Sequence, residues 1–435
     1  MHNAPAPKSR VAKQLSAPVA TANGRAIAAG ATARVALLAV LAAAVWGWIG
    51  VAHSLSESLW LDELHSAWSA SAPLGEVSSR AVRGNQLSPY FWLLWGLSQT
   101  FGNTEPVLRA PSIAAWLAAV ALSGATLARL ATCSGQRIVL AALALVVCDR
   151  AQIFYATEAR PYALLSLVAL AAWYALAQWT EAAQWTEVRC AGSGTRDRPP
   201  LGVGQTWFFW WLGWCGLNVA AFWLQPTALL SIAAQFVYLL ALSAFGGRLR
   251  LRSLARAPGY QGRLGLWPVV AGGAILGVAM LPALRALSPV WEHRQQWAGF
   301  AAKCGWRELA DLLPLEACLM PLLAGVVLAA IAGAWGQRVT LANTPIASLW
   351  ACHPVSASDP VSARHSYGLW HRAWWMWLCA WSVPCCLVLV LTASGVAPLM
   401  HRRYVFVAAF PFVIWLAHSW ALLPHAWLRS RARSS

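Results

Sequence analysis

An all-α polytopic membrane protein is the fold class that this sequence predicts, and three observations carry it. The 435 residues are 59% hydrophobic and 11% charged, with a mean hydropathy of +0.53, and one soluble core cannot hide that much apolar surface. The apolar residues fall into runs of about 20, the length at which a helix crosses a bilayer. The 32 Lys and Arg, against 15 Asp and Glu, sit in short clusters between those runs as they do in cytoplasmic loops, so no nucleic-acid partner is predicted. The ten Cys are scattered, several of them inside apolar runs (Cys215, Cys379, Cys385, Cys386). They lack paired metal-ligand spacing and read as small buried hydrophobes.

Residues 1–33, with Pro5, Pro7, Lys8, Arg10, Lys13 and Arg25, read as a disordered basic cytoplasmic tail. The Ala-rich run from Arg34 to Ala52 reads as a membrane anchor and not as a cleaved signal. Further spans are predicted at 109–129, 137–155, 159–179, 207–224, 226–244, 265–287, 314–335, 372–394 and 404–424, about ten in all. One membrane domain therefore covers 34–424, its external loop at 53–108 holds the expected catalytic residues, and 425–435 is a second basic cytoplasmic tail.

Loop charge assigns the sides. The stretch from Gly246 to Arg263 carries Arg248, Arg250, Arg252, Arg256 and Arg263 with no acid, whereas His53 to Ser88 carries Glu57, Asp62, Glu63 and Glu76 against Arg80 and Arg83. By the positive-inside rule the first is cytoplasmic and the second external. Keeping both requires an even number of crossings between them, so the short apolar piece Pro89 to Phe101 reads as interfacial or re-entrant. Asp62, Glu158, Gln225, the loop from Ser288 to Leu313 and His401-Arg402-Arg403 then share the external face of a multi-pass protein of the plasma (inner) membrane. Asp149 beside Arg150 reads as a local ion pair and not a proton relay. The 29 Trp fit interfacial belts, although Trp60, Trp68 or Trp92 can also stack on a sugar ring.

Two constellations carry chemistry. In the first, Asp62 can cap a short helix beginning at Glu63. Leu61, Leu64 and Trp68 then lie along the membrane, and Asp62, His65 and Ser66 share the other face. A carboxylate held there can take a proton from a hydroxyl or ligate a divalent cation, or it can simply be the cap. In the second, Pro161 fits the first turn of a helix and pushes Arg160 out of the α region, so that Thr157 to Arg160 are extended. Unpaired N–H groups and a guanidinium at a helix mouth favour a phosphate. Glu158 can ligate a metal bridging to that phosphate or pair with Arg160.

Leu59 to Trp68 (LWLDELHSAW), Asn85 to Trp95 (NQLSPYFWLLW), Glu105 to Pro111 (EPVLRAP), Tyr155 to Leu165 (YATEARPYALL) and Arg403 to Pro411 (RYVFVAAFP) resemble successive motifs of the GT-C membrane glycosyltransferases. The resemblance is to the bacterial relatives of protein O-mannosyltransferases and aminoarabinose transferases, the RgtA/B/C/D-like or family 39 branch. It is strongest over residues 35–180. It implies a GT-C fold with interfacial helices in the first external loop. The implied activity is inverting transfer of a sugar from a polyprenyl-phosphate donor to a lipid, glycan or protein acceptor at the external face, among membrane lipids. By the same resemblance Asp62 lies in the catalytic centre as the base, and Glu63 is the second expected catalytic residue. Glu158 is tied to metal or donor, and Arg160 and Arg403, with Arg402 and His401, hold the carrier phosphate. Trp60, His65, Tyr162 and Gln86 are the candidate sugar contacts. Gln86-Leu87-Ser88-Pro89 stands where the family has His-Pro-Pro, so the need for a divalent metal stays open. The non-enzyme alternatives are a flippase or transporter of lipid-linked sugars, which needs access to both faces, and an envelope scaffold, which needs no phosphate pocket.

Overall fold

The computed structural model of the chain describes residues 45–130, 150–192, 201–251, 266–288 and 360–419, apart from positions 46, 54, 398 and 400. Both tails, the span expected at 314–335, Asp149, most of the spans expected at 34–52 and 137–155, and most of the loops at 246–263 and 288–313 lie outside the described residues.

Among the described residues every regular element is helical. After helical residues at 47–53 come three short helices: α1 (Leu61–Ala70), α2 (Leu74–Arg83) and α3 (Pro89–Phe101). Then follow α4 (Glu105–Leu130), α5 (Arg150–Thr157), α6 (Tyr162–Gly192), α7 (Leu201–Leu224), α8 (Ala228–Leu251), α9 (Leu266–Ala286) and α10 (Pro360–Ala393). The last, α11 (Arg402–Val405), leads through a 3-10 turn (Phe406–Ala408) into apolar helix that is described as far as Ser419. Among the described residues four stretches are long and apolar enough to cross a membrane: Glu105–Leu127, Tyr162–Ala183, Trp267–Ala286 and Arg372–Ala393. The apolar helices Ala228–Ala244 and Arg403–Ser419 are shorter.

The 13-residue α3 is about 20 Å long at 1.5 Å per residue, too short for a hydrocarbon core of about 30 Å. It lies against α1, α2 and α4, with Tyr90, Phe91 and Leu94 fully buried. Gly102 ends it at φ +87°, a left-handed conformation that glycine adopts without strain. These short helices share a small core of Val77, Ala81, Tyr90, Phe91, Leu94 and Leu108, to which Ala159 and Leu224 also belong. The surface helices are thereby joined to the ends of the long ones.

The long helices meet through tryptophan. Trp173, Trp179, Trp214 and Trp377 are fully buried in the main core, where the sequence reading had placed most Trp at interfaces. Indole N–H bonds account for two of these sites, Trp173 and Trp214, whereas Trp179 Nε1 and Trp377 Nε1 have no partner among the described residues. Trp173 Nε1 donates to Ser231 Oγ at 3.0 Å, Trp214 Nε1 donates to Gln235 Oε1, and Asn218 Nδ2 donates to the same oxygen at 2.8 Å. Trp211 and Trp223 reach the carbonyls of Pro268 and Ala279 on α9 at 3.0 and 3.1 Å. A large ring that also satisfies a donor suits a helix interface where water supplies no partner. Gly272 gives Trp214 its room, since a Cβ there would come within 2.6 Å of the ring. Among the described cysteines, Cys215 and Cys385 are buried as expected, whereas Cys386 is exposed.

The loop-charge reading places the α2 surface and the basic loop after α8 on opposite sides of the membrane. Single-cysteine labels at Gly75, which is exposed, and at Arg256 should therefore respond oppositely to an impermeant thiol reagent in intact cells. Labelling of both from one side would mean that α3 crosses.

Candidate functional site

The first turn of α1 departs from the sequence reading. The helix begins at Leu61 with Trp60 as N-cap, not at Glu63 with Asp62 as cap. An indole cannot accept the freed backbone donors, so the Glu63 carboxylate reaches back to the Trp60 N–H at 3.4 Å, half of a capping box. Asp62 is thereby spared from capping. Its Oδ2 instead accepts from Arg160 Nη2 at 3.0 Å, with the Asp62 side chain 34% exposed. Leu61, Leu64 and Trp68 do face outward, as expected for a helix lying on a membrane, while Ser66, Ser69 and Ala70 turn into the protein. The expected grouping of Ser66 with Asp62 on an open face does not form.

Glu63 is 1% exposed and carries the densest set of contacts in the region. Arg109 of α4 donates Nε to Oε1 at 2.8 Å and Nη2 to Oε2 at 2.7 Å, a bidentate pair. The Ala159 N–H donates to Oε1 at 2.8 Å. Arg109 also holds the chain before α1, through Nη1 to the Glu57 carbonyl at 2.9 Å and Nη2 to the Ser58 carbonyl at 3.4 Å. Every strong acceptor direction of this carboxylate is filled. Two buried charges are tolerated in this way because each satisfies the other and the leftover lone pairs meet N–H groups. Arg109 was missed in the sequence, although a lone arginine early in an apolar run (EPVLRAP) is itself a signal that an acid must meet it.

The link between α5 and α6 is tighter than predicted. Thr157 closes α5, its hydroxyl donating to the Ile153 carbonyl at 3.0 Å, so only residues 158–161 are non-helical. The Arg160 N–H donates to the Glu158 carbonyl at 2.8 Å, and the first helical bond of α6 runs from Leu165 N–H to the Pro161 carbonyl. Pro161 thus stands immediately before α6, one residue ahead of the first turn in which the sequence predicts it, and its carbonyl takes the first helical bond. Glu158 and Arg160 are both buried, at 4% and 5% exposure. Burial pushes the Glu158 carboxyl up to about 8, against the opposing pull of Arg160. Its Oε2 has no hydrogen-bond partner among the described residues, and neither do Arg160 Nε, Arg160 Nη1 or Arg403 Nε.

The segment that holds α11 and the 3-10 turn comes to the same place. Arg403 lies within electrostatic reach of both Glu158 and Asp62, and Tyr155, Tyr162 and Phe406 stack between the two segments with ring centroids 5.5 and 4.8 Å apart. His401 caps α11, its Nδ1 accepting from the Arg403 N–H at 3.2 Å. Burial and the Arg403 charge hold its pKa below the ordinary value. The Arg402 side chain lies outside the described ones.

The candidate sugar contacts divide. Trp60 is 43% exposed, with its ring 5.9 Å from Phe154. Tyr162 is buried in the aromatic stack. Gln86 is buried with Oε1 unpartnered among the described residues, as is Gln225 Oε1. His65 turns towards α2: Nε2 meets the Arg80 carbonyl at 3.1 Å, and since a carbonyl only accepts, Nε2 bears the proton. Burial lowers its pKa from the ordinary value. Its seat is Gly84, where a Cβ would come within 2.1 Å of the imidazole. No group of three or more His, Cys, Asp or Glu that could hold a metal occurs among the described residues.

Two outcomes follow from this geometry. Glu63→Ala and Arg109→Ala each leave a buried charge unpaired and should destabilise the protein by about 3–5 kcal/mol. In denaturant unfolding in micelles, the double variant should lose less than the sum of the two. For Glu158, a pKa raised from 4.5 to about 8 means that the folded state holds a proton the unfolded state has released, so stability falls as pH rises through that window. Glu158→Gln removes this penalty. Its melting temperature should exceed that of the parent above about pH 5, by a margin that grows to about pH 8 and then levels off.

No family model, no curated protein and no solved structure matches this chain.

Proposed function

We propose that this chain is a membrane glycosyltransferase that moves a sugar from a polyprenyl-phosphate donor to a lipid, glycan or protein acceptor at the external face. The observation that carries the reading is that Arg160, paired with Asp62, and Arg403, from a distant part of the chain, both lie within electrostatic reach of Glu158. Both arginines keep buried nitrogen donors free of partners among the described residues. A buried donor without an acceptor costs about 1–3 kcal/mol. A phosphate removes that cost and matches the guanidinium fork.

In this mechanism Asp62 takes the proton of the acceptor hydroxyl as its oxygen attacks the anomeric carbon from the face opposite the phosphate. The bond from that carbon to the phosphate oxygen breaks, its electron pair stays on the phosphate, and Arg160 and Arg403 neutralise the charge that develops. The Asp62–Arg160 contact supports a base and a leaving-group clamp that share one guanidinium. Glu63, with its acceptor directions filled, is assigned to holding the site rather than to proton transfer. Glu158 is assigned to the donor side, where it would hold a divalent cation if the reaction uses one. Such a cation would supply charge to the departing phosphate and draw Glu158 into its ionised form.

The test is transfer by the purified protein in nanodiscs, offered a panel of polyprenyl-phosphate sugars with and without chelator. Arg160→Ala and Arg403→Ala should each weaken donor affinity about ten- to a hundredfold, with the lysine variants in between. Asp62→Asn should lower turnover by about 10²–10⁴ at near-normal donor affinity. Donor binding by both alanine variants as tight as in the parent would overturn the reading.

A further inference from the structure

Ser112 stands apart from the other hydroxyls of its helix. On α4, Ser123 and Thr126 return their hydroxyl protons to the carbonyls four residues back, Ala119 and Leu122, both at 2.8 Å. That is the ordinary behaviour of a helical serine or threonine. Ser112 instead donates to the carbonyl of Arg160 at 3.0 Å, across 48 residues of sequence. Its single proton is then committed, so the 3.0 Å contact with Tyr90 has one polarity: the phenol donates and Ser112 Oγ accepts. Tyr90 and Ser112 are both fully buried, and the result is a directed chain from Tyr90 O–H through Ser112 O–H to the Arg160 carbonyl. Each bond in such a chain polarises the next.

The chain ends on a carbonyl that α6 does not use, since the first carbonyl of that helix belongs to Pro161. Arg160 is thus held at three points of its backbone. Its N–H is turned back onto the Glu158 carbonyl, its carbonyl is taken by Ser112, and the following proline restricts its ψ. The preceding residue is pinned through Ala159 N–H to Glu63, whose partner Arg109 lies three residues before Ser112 on α4. Residues three apart lie on one face of a helix. One face of α4 therefore grips both ends of the Ala159–Arg160 unit, and the guanidinium that leaves it meets Asp62 with a single nitrogen, leaving Nε and Nη1 unpartnered among the described residues.

We infer that Tyr90 and Ser112 are positioning residues that aim the Arg160 guanidinium at Asp62 and at the phosphate of the carrier. For its ligand the inference rests on the function proposed above. Its geometry does not.

Two double-mutant cycles test it, the first on affinity for a polyprenyl phosphate in nanodiscs. Ser112→Ala should weaken binding about five- to tenfold, Tyr90→Phe should weaken it less, and Ser112→Thr should restore it. In an Arg160→Ala background the Ser112→Ala loss should vanish, because Ser112 acts through that side chain. An equal loss in both backgrounds would make Ser112 a general core contact and overturn the inference. The second cycle needs no ligand and pairs Ser112→Ala with Asp62→Ala in thermal unfolding. The drop in melting temperature caused by Asp62→Ala should shrink when Ser112 is already alanine. If the parent binds no polyprenyl phosphate, the proposed function fails while this second cycle still decides the inference, and an undiminished drop there overturns it.

Discussion

The buried pair of Glu63 and Arg109 is the interaction on which the candidate site depends. Through it the segment before α1, the first turn of α1, the face of α4 and the loop before α6 are bound to one another. A carboxylate and a guanidinium at 1% and 4% side-chain exposure are costly to desolvate. They persist only where geometry is bidentate and the remaining lone pairs find donors. That demand makes the pair a register mark as well as a contact. With Ala159 N–H on Glu63, Asp62 and Arg160 cannot slide past one another.

The rest of the bundle solves a different problem. Apolar helices in lipid gain little from burying apolar surface against one another, so contact shape and hydrogen bonds have to specify their partners. Tryptophan serves both needs in this chain. Trp173, Trp211, Trp214 and Trp223 each fill an interface and tie it with an indole N–H to a group on a neighbouring helix. Gly272 supplies the concave side of one such contact. The α7–α8 hairpin that carries Gln225 is set between these ties, and its Leu224 reaches the same small core as Ala159. The site is held from the bundle side as well as from the surface helices.

Neighbouring buried charges at the site are satisfied to different degrees. Glu63 has every acceptor direction filled, whereas the neighbouring Glu158 and Arg160, equally buried, keep atoms without partners among the described residues. Burial holds the Glu158 carboxyl up at about 8 in that setting, against the opposing pull of Arg160.

The membrane class, the helical character, the short α3 and the start of α6 beside Pro161 were legible in the sequence. Each is set by local properties: mean hydropathy, run length and the fixed φ of proline. Asp62, Glu158, Arg160 and Arg403 could be singled out for the same reason, because charge is conspicuous in an apolar chain. Which of them touch was not legible. That Asp62 pairs with Arg160 while Glu63 pairs with Arg109, that Trp60 takes the N-cap position, that His65 turns to the Arg80 carbonyl over Gly84, and that Ser112 serves Arg160 rather than its own helix were decided by tertiary structure. The physical reason is that a buried polar group must find a partner wherever the fold brings one. The partners lie 15 to 98 residues away, as Arg80 does from His65 and Arg160 from Asp62 (160 − 62 = 98), and no local pattern encodes such a meeting.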